Sequence, residues 1–399
     1  MTCTFTCFRD LDVPVVDADA HVNEPPDLWQ DRVPAKWRDR APKVIDCDGG
    51  DCWSFENGDW LRPLGLNATA GLSVAQFRCE GVRYADMRPG AFDPKARLAD
   101  LDVDGIHAQV LYPSIALEGA RVYGKERELQ LACARAYNEW IAEFCAESEG
   151  RLAGLGIIPT AGVDDAMAEV EAAVSLGLRG FILSRFPNGS FDPDPDDDRF
   201  WTLVADTGLP VAVHLGSFVR PKVTSYPDMR EPSFMALAGL SKGGARAIEM
   251  ASMLLFSGVF ERVPDLRMVL VESGIGWIPS MLEQLDTMFL RYRFATDAVT
   301  RMQTLPSELF HRNVWATFIT DRVGLENLHR LNSTQVMWSS DYPHDTCDWP
   351  NSRATIEHQF RGVPIDNARA ILHGNAVSLY RLAFSASRGS KTSESPSTV

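Results

Sequence analysis

Eight short runs rich in β-branched residues recur along the chain, each followed by an amphipathic or alanine-rich stretch. That alternation is the pattern of repeated βα units around a parallel sheet. The runs are VPVVDADAH (13–21), HAQVLYPS (107–114), LAGLGIIPT (152–160), LRGFILSR (178–185), LPVAVHL (209–215), LRMVLVES (266–273), VWATFIT (314–320) and QVMWSSD (335–341). Helices are expected between them, the clearest over 126–148, 163–177 and 276–293. Eight such units suit an α/β fold of the closed (β/α)8, TIM-barrel type better than an open sheet. Barrels of this kind absorb a length of 399 residues as one domain, expected here over 1–384. Residues 25–100, between strands one and two, are rich in Trp, Pro, Gly, Arg and Asp and lack long-range periodicity. They read as an insertion that serves as a cap or a subunit contact. The Ser/Thr/Pro-rich stretch 385–399 reads as a disordered tail.

Charge narrows the partners. Lys and Arg number 39 against 54 Asp and Glu, a formal net charge of −15. A phosphate backbone or an anionic membrane needs a basic surface, so nucleic acid and membrane are excluded as expected partners. A small anionic substrate is compatible, since one or two buried arginines can meet it. The apolar run SMLLFSGVF is short and interrupted by Ser and Gly. The polar N-terminus, MTCTFTCFRDLD, lacks the apolar core of a secretory signal. Eight scattered cysteines then read as reduced thiols of a cytoplasmic protein. Neither Cys3 with Cys7 nor Cys47 with Cys52 has the tight spacing of a zinc knuckle.

In parallel barrels the chemistry sits at the carboxyl ends of the strands. Strand one ends in DADAHVNE, where Asp17, Asp19 and His21 alternate and so share one face. Two carboxylates and an imidazole on an inward face are costly unless something cationic neutralises them. A divalent metal answers that cost; a hydrogen-bonded cluster without metal is the alternative. His214 closes strand five, as a ligand or as a satisfied core histidine. Asp341 closes strand eight, as a ligand or as a helix cap, with His344 just beyond. Agreement at three strand ends favours a metal at that end of the barrel.

Taken together, DADAH, AVHLG, VPDLRMVLVESGIGWIP and VMWSSDYPHDTCDWP resemble the amidohydrolase-related family. That family contains aminocarboxymuconate-semialdehyde decarboxylase, γ-resorcylate decarboxylase and ring-fission C–C hydrolases. FDPKARLADLDVDGIHAQVLYPS and HGNAVSLYR are similar to further recurrent segments, and the resemblance runs from about 13 to 383. It implies that the family's strand-one pair falls on Asp19 and His21, its strand-five His on His214, and its strand-eight Asp on Asp341. Relatives often carry His or Glu where Asp19 stands. Two imidazoles and two carboxylates suit one Zn²⁺ or Mn²⁺, with zinc placed slightly ahead.

The larger departure is on strand six. The decarboxylases carry a His there, and this chain has Glu272, which can accept a proton, bind or orient the metal, or cap the next helix. The expected catalytic groups are Asp341, Glu272 and His344. Arg185, at the end of strand four, either pairs with a substrate carboxylate or with the acidic run 192–198. Tyr112, Trp277 and Tyr342 either line a pocket for a planar substrate or pack in the core. Three readings follow. Hydrolysis of a C–N or C–C bond by metal-activated water, with Asp341 moving the proton, is favoured by the loss of the decarboxylase His. Non-oxidative decarboxylation of an aromatic or enoic acid is the alternative. A metal-binding scaffold whose chemistry has lapsed is the third. The resemblance also implies a homodimer.

Overall fold

The computed structural model describes residues 3–47, 49–117, 119–215, 217–218 and 243–383. The expected tail at 385–399 lies outside the described residues. In chain order the strands are β1 (Val16–Val22), β2 (Lys43–Cys47), β3 (Gly50–Phe55), β4 (Trp60–Pro63), β5 (Ala108–Pro113), β6 (Leu152–Gly154), β7 (Gly156–Ile157), β8 (Phe181–Ile182), β9 (Val211–His214), β10 (Met268–Val271), β11 (Val314–Phe318) and β12 (Val336–Trp338). Each of the eight anticipated runs contains a parallel strand. The third is split at Leu155 into β6 and β7.

The strands β1–β5–β6 form one parallel sheet, and β7 through β12 pair successively in a second. Hydrogen bonds tie the two together on both sides. At the split, the Leu155 N–H donates to Leu111 O at 3.3 Å, and the next N–H, of Gly156, donates to Gly180 O at 3.0 Å. Beyond β12, Asp341 N–H donates to Asp19 O at 3.0 Å and His21 N–H to Tyr342 O at 2.6 Å. The strands are buried on both faces, which explains why they read as continuous apolar runs rather than alternating ones.

Helices Arg127–Ala146, Val163–Ser175 and Ile278–Tyr292 occupy the anticipated stretches. Between β1 and β5 lie the antiparallel sheet β2–β3–β4 and the helix Pro94–Asp104. That helix is punctuated by its own sequence. Asp93 accepts from the Ala96 N–H at 2.7 Å, Pro94 opens the first turn, and Gly105 ends it with φ 79°. Such fixed ends matter because the helix carries Arg97, which reaches the back of β1.

Candidate metal centre

A buried polar chain holds β1 from behind. Arg97 is fully buried and donates through Nη1 to Gln109 Oε1 at 3.1 Å and through Nη2 to the His21 carbonyl. Gln109 Nε2 donates to Asp17 Oδ2 at 2.9 Å. Asp17 also accepts from the Ser340 N–H at 2.9 Å and from the Ser340 hydroxyl at 2.5 Å. Asp17 is thus satisfied by hydrogen bonds and pins the end of β12 to β1. The β1–β5 register shifts between Asp17 and Ala20, which breaks the expected common face of Asp17, Asp19 and His21. Asp17 belongs to the scaffold.

Asp19 and His21 point elsewhere. His21 Nδ1 donates to Pro113 O at 3.0 Å, which fixes the tautomer and leaves Nε2 as a lone pair. That lone pair lies 3.4 Å from Asp19 Oδ1 and 3.1 Å from Asp341 Oδ1. The His214 ring lies 5.4 Å from His21, centroid to centroid. One ligand atom from each of Asp19, His21 and His214 falls within 4.8 Å of the others, and the same holds for His21, Asp341 and His344. Five buried atoms converge here without a hydrogen-bond partner among the described residues: both oxygens of Asp19, Nε2 of His21, Nε2 of His214 and Oδ1 of Asp341.

Lone pairs facing lone pairs at these separations repel. Ligands about 2.1 Å from a divalent ion sit about 3–3.4 Å apart, close to the His21–Asp19 and His21–Asp341 distances. The donor set therefore fits a divalent cation.

The electrostatics agree. Burial lowers the pKa of both imidazoles, His214 to about 3, so they are neutral and ligand-competent. Burial, then Asp341 and Glu272, push the Asp19 carboxyl well up. Burial also pushes Asp341 up, but His344, with Nδ1 3.3 Å from Asp341 Oδ1, outweighs it and holds that carboxyl below the usual range. Glu272 is pushed up to about 8 by burial, then by Asp341 and Asp345. Its Oε2 lies 3.8 Å from His214 Nε2.

Glu272 and Asp341 both adopt left-handed backbone, at φ 56° and 60°, rare for residues with a Cβ and frequent at functional sites. Three hydroxyls brace the cluster. Thr317 Oγ1 accepts from the Glu272 N–H at 2.8 Å, Thr346 donates to Asp341 Oδ2, and Ser114 Oγ lies 3.0 Å from His344 Nε2. The His344 ring stacks on His21 at 3.9 Å. None of Arg97, Gln109, Ser114, Ser340 and Thr346 stood out in the sequence. Only the position of Ser114, Ser340 and Thr346 beside strand ends could have flagged them.

The aromatic residues divide. Tyr112 lies beneath the cluster, its ring 5.9 Å from His21 and 6.1 Å from His214, with its hydroxyl 3.1 Å from that of Tyr380. Trp277 folds back, its Nε1 donating to Ser273 O at 2.8 Å. Tyr342 takes the second of its two readings and packs into the scaffold. Its hydroxyl donates to Asp100 Oδ2 at 2.5 Å and its ring lies under the Arg97 guanidinium at 4.4 Å. Arg185 forms no ion pair with 192–198 among the described residues. It packs over Phe191 at 4.5 Å and lines a separate cavity of about 1140 Å³. The cluster residues do not line that cavity.

The chain belongs to the amidohydrolase family, which it matches over residues 16–382. It is 28% identical over 235 residues to the gamma-resorcylate decarboxylase of Rhodococcus jostii, a match covering 55% of this chain and 69% of that one. Among solved structures it is similar to the 5-carboxyvanillate decarboxylase of Sphingomonas paucimobilis, with a TM-score of 0.63 and 21% identity over 93% of this chain and 100% of that one. It is also similar to a dihydroxybenzoic acid decarboxylase from a Polaromonas species with bound manganese and 2-nitroresorcinol, with a TM-score of 0.58 and 17% identity over 92% and 97%. No helix among the described residues is long and apolar enough to cross a membrane.

Proposed function

We propose that this amidohydrolase-family enzyme is a metal-dependent, non-oxidative decarboxylase of an aromatic or enoic acid, with its centre at the mouth of a closed (β/α)8 barrel. The observation that carries the reading is the convergence of five buried, unpartnered atoms from Asp19, His21, His214 and Asp341. These four would hold the cation. Zinc and manganese both suit two imidazoles with two carboxylates, and the manganese of the Polaromonas relative removes the reason for placing zinc ahead. Bound there, a divalent cation supplies positive charge for the substrate's carboxylate and a neighbouring oxygen.

The chain's own residues supply the proton. Two carboxyl groups at one centre, pushed in opposite directions, divide acid from base. Asp341 stays ionised, and its Oδ2 is fixed by the Thr346 hydroxyl, so Oδ1 keeps its aim. Burial, then Asp341 and Asp345, push the Glu272 carboxyl up to about 8, which favours its acid form. As the C–C bond to the carboxyl breaks and CO2 leaves, the electron pair stays on the substrate carbon, and Glu272 delivers the proton there. Glu272 is 29% exposed, enough to regain a proton from water.

Hydrolysis, favoured from the sequence because Glu272 replaces a His, loses ground to the relatives, which are named as decarboxylases. The test is incubation of the metal-loaded enzyme with a panel of hydroxybenzoates and enoic acids in D2O. Equimolar CO2, with deuterium at the carbon that lost it, is the expected result. An intact carboxyl beside a cleaved C–N or C–C bond would restore the hydrolytic reading.

A further inference from the structure

The turn that carries Glu272 is held from the neighbouring strand end. After β10 the chain runs Glu272, Ser273, Gly274, Ile275, Gly276 before the helix Ile278–Tyr292 begins. Glu272 and Gly274 both sit in left-handed backbone, at φ 56° and 67°. A residue with a Cβ stays there only where its neighbours fix it. Two residues that follow β11 in space and sequence do so. Thr317 takes the start of the turn, its Oγ1 accepting from the Glu272 N–H at 2.8 Å and its carbonyl from the Gly274 N–H at 3.2 Å.

Asp321 takes the far side. Its Oδ2 accepts from the Ile275 N–H and from the Gly276 N–H, each at 2.7 Å. Its Oδ1 accepts from the Gly324 N–H at 2.8 Å and so caps the short helix Arg322–Glu326. A cap needs only one of the two oxygens. The other ties a loop from the preceding barrel unit. Space is cut to match, since a Cβ on Gly276 would lie 2.9 Å from Asp321 Oδ1, and one on Gly324 would overlap Ile275. Asp321 is anchored in turn. Its N–H donates to Oε1 of buried Gln359 at 3.0 Å, and Gln359 Nε2 donates to Ile319 O at 2.9 Å. Asp321 belongs to neither group of converging ligand atoms.

We infer that Asp321 is the positioning residue for Glu272: its carboxylate locks the turn that keeps the Glu272 side chain aimed at the centre. The inference rests on the decarboxylase reading, in which Glu272 gives the proton to carbon. Charge-assisted bonds to two successive amides fix direction as well as distance. A misplacement of about 1 Å at a reacting group costs about a hundredfold in rate, so the turn bears on kcat without touching substrate.

The experiment starts from Asp321→Asn. The amide oxygen keeps the cap on Gly324, while the NH2 group is left facing two N–H donors. In CO2-release assays of the metal-loaded full chain, kcat is expected to fall between roughly tenfold and a hundredfold, with KM within about twofold of wild type. In the Glu272→Gln background the same change is expected to cost less than about twofold, because the two residues act through one another. Gly276→Ala, which drives a methyl group against Asp321 Oδ1, is the second arm and is expected to reproduce the loss of kcat. Hydrogen exchange reads the clamp without substrate. The Ile275 and Gly276 amides are expected to exchange at least roughly tenfold faster in Asp321→Asn, as the loss of a charged hydrogen bond warrants, with those of β10 unchanged. An unchanged kcat in both variants, a loss just as large beside Glu272→Gln, or unchanged exchange at 275 and 276 overturns the assignment. A wild type that releases no CO2 from any acid sinks the decarboxylase reading instead, and faster exchange in the variant then leaves the clamp standing.

Discussion

In chelator-treated protein Asp19→Asn is expected to raise the melting temperature, and in metal-loaded protein the same change is expected to leave it below wild type. Asp19 is fully buried, neither of its oxygens has a hydrogen-bond partner among the described residues, and burial, Asp341 and Glu272 all oppose its charge. A neutral amide of the same size removes that opposition, which stabilises the metal-free form by about 1–3 kcal/mol. A cation present at about a thousand times its dissociation constant stabilises wild type by about 4 kcal/mol. The variant, with one anionic ligand gone, gains much less. An unfolding entropy near 2.1 cal/mol/K per residue, taken over about 400 residues, is roughly 0.8 kcal/mol/K. The two effects then read as a rise of about 1–4 °C for the variant in chelator and a gain of about 5 °C for wild type with metal. Scanning calorimetry of both proteins, in chelator and in excess Mn²⁺ or Zn²⁺, gives the four values. A variant that melts lower than wild type in both conditions, or a wild type indifferent to every divalent cation, refutes the metal centre.

Two further changes test the scaffold. Tyr342→Phe removes the hydroxyl that donates to Asp100 Oδ2 and is expected to cost about 1–3 kcal/mol in denaturant unfolding, with CO2 release per enzyme unchanged; a raised KM would return Tyr342 to the substrate site. Glu24 is fully buried, and its carboxyl is pushed up to about 8 by burial, against the pull of the Ile115 N–H and Arg62. Stability from this group is complete below the ordinary glutamate range near 4.5 and is lost as pH rises through about 8. Glu24→Gln is therefore expected to gain on wild type between pH 5 and 9 by up to a few kcal/mol, since each tenfold change in proton affinity is worth about 1.4 kcal/mol. Parallel melting curves against pH for the two proteins would show that Glu24 ionises normally.

The strands and the candidate ligands were legible for the same reason: a parallel strand buried on both faces leaves a continuous apolar run, and a polar residue at its end has nowhere ordinary to go. Thus His214 after VAV and Asp341 after β12 could be read as site residues. The expected runs extend past the paired segments, as at 178–185 against Phe181–Ile182, because pairing stops where loops begin and composition does not. Asp17 and Asp19 could not be told apart, since strand alternation puts both on one face. The difference lies in the register shift against β5, and in the bond that Asp17 accepts from Gln109, 92 residues away. The two readings of Tyr342 could not be separated for a similar reason. Its partner Asp100 lies 242 residues earlier, on a helix of the inserted segment. Arg97, which holds the His21 carbonyl, drew no reading of its own within the inserted segment. Long-range pairing of polar side chains has no local signature.

Glu272 changes meaning between the two levels. As a letter replacing the decarboxylase His it favoured hydrolysis over decarboxylation. Its surroundings reverse that. The left-handed turn after β10, held by the Glu272 N–H bond to Thr317, aims the side chain at the centre beside Asp341. Such backbone costs about 1–3 kcal/mol and persists only where neighbours over-determine it. The Asp341 charge adds to burial in raising the Glu272 carboxyl, and Asp341, with His344 Nδ1 3.3 Å from its Oδ1, keeps the charge. Glu272 then keeps the proton. A hydrolase needs a base here to take a proton from water, whereas a decarboxylase needs an acid to give one to carbon. The acid form, which burial of Glu272 favours, is the one that suits the proposed decarboxylation.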